Sequence, residues 1–376
     1  MTTQEKHLYE QLFELLAEHA GEYNNRAQAQ IAVWKDTHPK TQPLLLRTNL
    51  PPQLDRRFPS FNSGETHHSK VKMLLDGMKA MLGCAMSGGW AVPSIRANMG
   101  CGIVPSMFPG IVPMLFDDGK MPWITKHLDR EAVRKTRYRD IGFTDEYKLG
   151  LEHMEYIADK IHGTGTYVYP LDIQGPFDVA HLVYGDAIFY DLYDNPKFVH
   201  RLLELSCYAI EDCFTDCMGL IPDSDKIVAH YNSLVMPRSC GGIKLSEDTS
   251  TLLSSAHIDE FVIPYSKRIL DFVGGGYIHY CGKNDHLFNC FLGIKNAYGI
   301  NFGNPEMHNM EAVLRQIAKA GKVYYGSVPQ HENEDIAAYF RRVKDAATVD
   351  GRSRLLLSYD TVYEKKDDVL SVWELI

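Results

Sequence analysis

The sharpest local pattern in the 376-residue sequence is His279-Tyr280-Cys281-Gly282, at the end of a glycine-flanked segment with strand-like composition. On a strand, residues two apart project from one face about 7 Å apart at the backbone. The His279 imidazole and the Cys281 thiol can therefore approach one ion while Tyr280 points away, and these are ligand types that Zn²⁺ prefers. The pattern predicts part of a zinc site; the alternative is a histidine and a cysteine packed at the strand end.

A catalytic zinc needs about three protein ligands and an open position, so His279 and Cys281 require a partner from another strand end. Four candidates lie just after strand-like segments or in the loops that follow them: Cys240, Asp248, His308 and Asp360. We rank Asp360 and Cys240 ahead of the other two. The predicted metal ligands are therefore His279, Cys281 and Asp360.

Aromatic and amide side chains crowd the region expected around these strand ends. They are Tyr167, Tyr169, Gln174, Tyr231, Asn232, Tyr277, Asn301, Asn304, Tyr324, Tyr325 and Tyr359. A wide cleft with this lining suits a large flat or amphipathic ligand. Lys283 could add positive charge for a carboxylate. We take Tyr169, Gln174, Asn232 and Lys283 as the cofactor-binding candidates.

Composition restricts the class of protein. The chain of 42.7 kDa has 45% hydrophobic and 23% charged residues, which is typical of a soluble globular protein. Its 39 basic and 48 acidic residues give a net charge of −9 with no long basic block, so we expect no nucleic-acid partner. No stretch approaches the about 18 apolar residues of a membrane span.

The cysteines and the N-terminus bear on location. Eight cysteines without a CxxC pair are too sparse for a disulfide scaffold and indicate reduced thiols. The first twenty residues carry acids and leucines at helical spacing, unlike a signal peptide. We expect a cytoplasmic protein that acts on a small molecule, with a homodimer as one assembly to consider.

Strand-like and helix-like segments alternate over much of the chain. Residues 1 to about 40 read as helix, and the last 200 residues hold the clearest alternation. Strands are predicted at residues 43–49, 166–174, 226–232, 276–281, 297–303, 322–328 and 354–359, and helices at about 196–218, 309–320 and 332–346.

Alternation of this kind predicts parallel strands, because each parallel strand needs a crossover. We predict an α/β fold in which residues 1–40 form an N-terminal helical extension and residues 41–376 form one (β/α)8 TIM-type barrel. An open doubly wound sheet is the alternative, but no GxGxxG follows the first strand. In a barrel, His279 and Cys281 would lie at the active face, where the strands end.

From about residue 28 to the end, the sequence resembles the uroporphyrinogen decarboxylase superfamily. The resemblance rests on the order and spacing of several segments. They are RAQAQIAVW with PLLLRTN, IRANMGCGIVPSMFPG (95–110), the segments 172–205 and 245–270, GGGYIHYCG (274–282), and the segment 300–329. The resemblance implies a TIM-type barrel.

That superfamily contains metal-free decarboxylases of uroporphyrinogen III and zinc-dependent methyltransferases that use a corrinoid protein and a thiol. His279-x-Cys281-Gly282 resembles the first two ligands of the methyltransferase HxC...C site, whereas no cysteine follows Cys290 to supply the third. The decarboxylase Arg-Gln-Ala-Gly-Arg segment is absent near residues 47–49, as is Gly-His-Gly near residues 358–360. The chain therefore resembles the methyltransferase branch more closely.

Three functions follow as hypotheses. The first is zinc-dependent methyl transfer between a methyl-corrinoid protein and a thiol, with the corrinoid on a partner because this chain has no recognisable cobalamin-binding module. The second is metal-free decarboxylation of uroporphyrinogen III or a related tetrapyrrole, in which Asp172, Asp178 or Asp248 stabilises a protonated pyrrole. The third is a non-catalytic corrinoid- or tetrapyrrole-binding protein. The predicted catalytic residues are Asp172, Asp248 and Asp360.

Overall fold

Parallel strands joined by helices account for most of the chain. The computed structural model describes residues 1–37, 42–116 and 119–376. The predicted boundary between the N-terminal extension and the barrel, at residues 40 and 41, lies outside these described residues.

The secondary structure alternates as the sequence predicts. The helices are α1 (Thr3–Ala17), α2 (Ala20–Trp34), α3 (Pro52–Arg57), α4 (Ser63–His68), α5 (Lys70–Ala85), α6 (Arg130–Lys135), α7 (Asp145–Ile161), α8 (Pro176–Tyr184), α9 (Ala187–Asp194), α10 (Pro196–Leu220), α11 (Ser255–His257), α12 (Ile263–Val273), α13 (Asp285–Gly293), α14 (Met310–Lys319), α15 (Ile336–Ala346) and α16 (Lys366–Leu375). The strands are β1 (Leu44–Thr48), β2 (Ser94–Ile95), β3 (Tyr167–Val168), β4 (Ile227–His230), β5 (Leu234–Pro237), β6 (Ile243–Ser246), β7 (Gly276–Tyr280), β8 (Ala297–Phe302), β9 (Val323–Gly326), β10 (Thr348–Val349), β11 (Arg352–Ser353) and β12 (Leu355–Thr361). Among the described residues, no helix is long and apolar enough to cross a membrane.

Six of the strands form one parallel sheet in the order β1-β12-β9-β8-β7-β6. β2 and β3 form a separate parallel pair. β4 with β5, and β10 with β11, form antiparallel pairs. The predicted α/β class is confirmed, and because the sheet is parallel, the carboxyl ends of its strands all meet at one edge.

The strand predicted at residues 166–174 was wrong in extent, and the strand predicted at residues 226–232 was wrong in pairing. The first strand is limited to the two residues of β3, because Pro170 lacks the N–H that further strand pairing would need. The second contains β4, which pairs with β5 in a hairpin outside the six-stranded sheet. The sheet instead uses β6, which the sequence did not reveal because it has four residues and follows directly on Gly241 and Gly242.

The N-terminal helices are joined to the strands by buried polar side chains as well as by apolar packing. Gln30 of α2 donates through Nε2 to the carbonyl oxygens of Trp90 and Ser233, at 2.7 and 2.8 Å. The indole N–H of Trp34 donates to Val235 O at 2.8 Å. Because buried backbone carbonyls need donors, these bonds fix α2 against β5.

Candidate metal centre

Three side chains with metal-binding chemistry converge at the edge where the strands end: Asp248, His279 and Cys281. Nε2 of His279 lies 3.7 Å from Cys281 Sγ and 3.7 Å from Asp248 Oδ1. Tetrahedral ligands at Zn²⁺ bond lengths, about 2.0 Å to N and O and 2.3 Å to S, are about 3.3–3.6 Å apart. The three groups could therefore hold Zn²⁺ after movements of a few tenths of an ångström.

The adjacent strands β6 and β7 position these three side chains. β7 ends one residue after His279, and Cys281 follows before the turn at Gly282, whose φ of 82° favours glycine. Ser246, the last residue of β6, is paired with His279. Asp248 lies two residues beyond Ser246, so parallel pairing of β6 with β7 brings it level with the histidine and the cysteine.

The orientation of the His279 ring is set from β8. Nδ1 of His279 is hydrogen-bonded to Oδ1 of Asn301, the residue paired with it across the sheet, and Asn301 Nδ2 donates to Tyr325 O. With Nδ1 engaged, Nε2 points at the ligand cluster. Burial, and then the charge of Lys244, lower the pKa of His279. The ring is therefore neutral, which is the form that binds metals.

The Cys281 thiol is protonated when no cation is present. Burial, followed by the nearby carboxylate of Asp248, raises its pKa to about 11. The backbone N–H of Cys281 also donates to Asp248 Oδ1 at 2.7 Å, which ties the two ligand segments together. A bound cation favours the thiolate and would reverse this shift.

A buried ionic cluster lies beside the ligand cluster. Asp172 contacts Lys244 Nζ at 2.7 Å and Arg96 Nη2 at 3.2 Å, and Lys244 also donates to the Tyr231 hydroxyl at 3.0 Å. Burial favours the neutral acid, but the charges of Arg96 and Lys244 hold the pKa of Asp172 well below its usual value. Asp172 is therefore ionised and paired with two cations, which leaves the cluster with one positive charge in excess.

Two further buried acids support the loop that carries Asp248. Asp178 accepts the backbone N–H groups of Asp248 and Thr249, each at 2.8 Å. Burial and the charge of Asp248 raise the pKa of Asp178 to about 7. Glu247 accepts hydrogen bonds from two serine hydroxyls, and burial raises its pKa to about 8. No spacing in the sequence marks Glu247, because its burial arises only from packing.

Two cavities meet at His279 and Tyr231. One, of about 320 Å³, is also lined by Trp123, Gln174 and Asp178. The other, of about 510 Å³, reaches from His279 towards the end of β12. The candidate ligands therefore stand between two spaces, each large enough for a small molecule or part of a larger one.

The structure does not bring the favoured third ligands to this cluster. Asp360 lines the larger cavity, but both of its carboxylate oxygens accept from the Arg47 guanidinium, at 2.8 and 2.9 Å, and its side chain is 70% exposed. Cys240 precedes β6 and is buried in an apolar cluster at the other end of that strand. His308 is close by, but its ring bonds to Gly282 O and stacks on Phe302.

The four cofactor-binding candidates separate in space. Tyr169 and Asn232 line the larger cavity, although Asn232 also bonds to the backbone of Ser94 and Ala80. Gln174 lines the smaller cavity and donates to Asp172 at 3.1 Å. Lys283 is exposed and lines neither cavity.

Comparison with known proteins identifies the fold. No family model and no curated protein matches the chain. A solved structure, a methyltransferase from Methanosarcina mazei, is similar with a TM-score of 0.65 and 12% sequence identity, over 93% of this chain and 98% of that one. At this identity the likeness concerns the fold alone. The chain therefore shares the α/β fold of that solved structure along nearly its whole length.

Proposed function

We propose that this protein is an enzyme that transfers a methyl group to a thiol acceptor, with Zn²⁺ held by Asp248, His279 and Cys281. The observation that carries the proposal is the spacing of the three ligand atoms, which all lie within 4.8 Å of one another. The fold shared with a methyltransferase supports the reaction class. The third ligand in this proposal is Asp248, in place of Asp360.

Zn²⁺ bound at such a site lowers the pKa of a thiol and keeps it as the thiolate nucleophile. The residues of the chain prepare the site for that chemistry. Asn301 fixes the ring of His279, and the backbone bonds of Asp178 hold the loop of Asp248. Three protein ligands leave a fourth tetrahedral position for the acceptor.

The two cavities suit a reaction between two bound partners. The smaller cavity, beside Asp178 and Trp123, would take the thiol acceptor. The larger one, towards Asp360, would admit the methyl group of a methyl-corrinoid carried by a partner protein. Positioning of two reactants on either side of His279 is then the main contribution of the protein to the rate.

We also propose that the strands close into a (β/α)8 barrel. The first strand, β1, already pairs with the last, β12, as closure requires. The separate parallel pair of β2 and β3 would bring the number of strands to the eight that a closed barrel needs. Two backbone hydrogen bonds support this closure. One links the segment before β2 to β1, from Trp90 N to Leu44 O at 2.8 Å, and the other links the segment after β3 to β6, from Gly175 N to Ser246 O at 2.7 Å.

Metal analysis tests the proposed function directly. Protein purified without a histidine tag should contain zinc, and His279→Ala and Cys281→Ala should each remove one equivalent. Cys240→Ser is the matched control, because Cys240 lies in an apolar cluster at the other end of β6, and it should retain the metal. Methyl transfer from methylcobalamin to small thiols should disappear in chelator and return with Zn²⁺. A Cys281→Ala variant that contains as much zinc as wild type would overturn the proposal.

A further inference from the structure

A second group of metal-ligand side chains lies on the helices that follow β6 and β7: Asp259, His286 and Cys290. His286 and Cys290 are one turn apart on the same face of α13. Nε2 of His286 lies 2.7 Å from Asp259 Oδ1 and 3.4 Å from Cys290 Sγ, and this sulfur lies 3.6 Å from Asp259 Oδ1. Three different ligand types thus face one point.

The geometry distinguishes a shared cation from a catalytic relay. In a cysteine–histidine–aspartate relay, the two ring nitrogens of the histidine have separate partners. Here Asp259 and Cys290 both face Nε2 of His286. The thiol is also unsuited to act as a nucleophile, since burial and the adjacent Asp259 raise the pKa of Cys290 to about 11.

The separations suit a tetrahedral metal, which would place ligand atoms about 3.3–3.6 Å apart. Both distances to Cys290 Sγ are in or near this range. The shorter distance between Asp259 and His286 is that of a hydrogen bond, and a cation would widen it. The two side chains are 59% and 36% exposed, so they have room for that movement.

A local irregularity of the backbone presents Asp259. Residues Ile258–Val262 form a π-helical turn between α11 and α12. Pro264 lacks the N–H that would donate to Glu260 O in an α-helix, which accounts for the wider turn. Such turns are rare in proteins, and those that occur are often found at functional sites.

We propose that Asp259, His286 and Cys290 form a second binding site for a borderline divalent cation such as Zn²⁺ or Co²⁺. Imidazole and thiolate select these ions over Mg²⁺ and Ca²⁺, which prefer oxygen. The site joins the segment after Asp248 to the helix after Cys281. Asn284 already links these two segments by donating to Thr251 O and Leu253 O. The cation therefore clamps the two loops that carry the first ligand cluster.

This proposal does not depend on the proposed function and is tested in a chain whose first cluster is disabled. A full-length His279→Ala/Cys281→Ala variant is titrated with Co²⁺, and the thiolate-to-cobalt charge-transfer band is followed. One equivalent should bind with that band. Adding Cys290→Ser should abolish the band and weaken Co²⁺ binding by about tenfold or more. Adding Cys101→Ser instead, at a partly buried cysteine outside both clusters, should change neither.

Each result bears on one proposal. No Co²⁺ binding by the His279→Ala/Cys281→Ala variant, or a band that survives Cys290→Ser, overturns the second site alone. Metal that depends on Cys290 but not on Cys281 in otherwise wild-type protein supports the second site and contradicts the proposed function. Circular dichroism of every variant checks folding, and Zn²⁺ should raise the Tm of wild type more than that of Cys290→Ser.

Discussion

Asp248 Oδ1 lies 3.7 Å from His279 Nε2, although the two residues belong to different β/α units. The contact exists because β6 and β7 are adjacent and parallel, with Ser246 paired to His279. The carboxylate nearest to His279 and Cys281 thus comes from the loop after β6, whereas the sequence favoured Asp360 of β12. The Asp248 side chain is also held by its bond to the Cys281 N–H.

Replacing Asp248 should weaken zinc binding more than replacing Asp360. We expect Asp248→Asn to lower zinc affinity by at least about 10- to 100-fold, the range typical of losing an outer-shell partner, since it removes a charged direct ligand, and Asp360→Asn to leave it unchanged. Asp248→Cys, which keeps an anionic ligand, should retain the metal. Competition with a chromophoric chelator measures all three affinities. A loss confined to Asp360→Asn would contradict the assignment of Asp248.

Asn301 should control zinc affinity through the ring of His279. Asn301→Ala removes the acceptor that orients Nδ1, and we expect about a 10- to 100-fold loss of affinity. Asn301→Asp keeps an acceptor for Nδ1 but loses the donor to Tyr325 O, so its zinc affinity should lie between those of wild type and Asn301→Ala. Asn296→Ala, at an exposed amide bonded to Asp271, is the matched control. Equal affinities in Asn301→Ala and wild type would show that the ring needs no such support.

The Cys281 thiol should keep its position only if residue 303 is glycine. A Cβ at this position would collide with Cys281 Sγ and lie 3.4 Å from His279 Cε1, so Gly303→Ala should displace the sulfur. We expect about a tenfold or larger loss of zinc affinity with the fold retained. Gly293→Ala has open space around its Cβ and should bind zinc like wild type. Unchanged cobalt spectra in Gly303→Ala would contradict the geometry.

The ionic cluster predicts an order of stabilities. Asp172→Asn leaves Arg96 and Lys244 as buried cations without their counter-charge, and we expect a loss of about 3–5 kcal/mol in unfolding free energy. Lys244→Met leaves Asp172 paired with Arg96 and should cost less, about 1–3 kcal/mol. Urea unfolding measures both. The prediction fails if Lys244→Met is the more damaging change.

Lys322 should make stability depend on pH in the alkaline range. Its amine donates to Ile294 O and Ala297 O, and burial lowers its pKa from 10.5 to about 8. Between these values the unfolded chain binds more protons, so this group favours folding increasingly as pH rises from about 8 to 10.5. The free energy of unfolding of wild type should rise relative to that of Lys322→Met by up to about 3 kcal/mol. Lys319→Met, at an exposed lysine, should show no such relative change when urea unfolding is compared at pH 7.5 and 10.

The sequence by itself was sufficient for the features that depend on local periodicity. The α/β class, the long helix α10 and the strand that carries His279 follow from apolar spacing, helix-start signals and β-branched or aromatic runs. The juxtaposition of His279 and Cys281 also follows, because alternate residues of a strand face the same side.

Only the tertiary structure decided which residues join them. Strand pairing brings Asp248 to His279, sends Asp360 to Arg47, and leaves Cys240 at the far end of β6. The cluster at Cys290 likewise depends on a π-helical turn packing beside α13. Sheet order and the burial of acids such as Glu247 are set by contacts between segments distant in the chain, and a single sequence carries no local periodicity that reports such contacts.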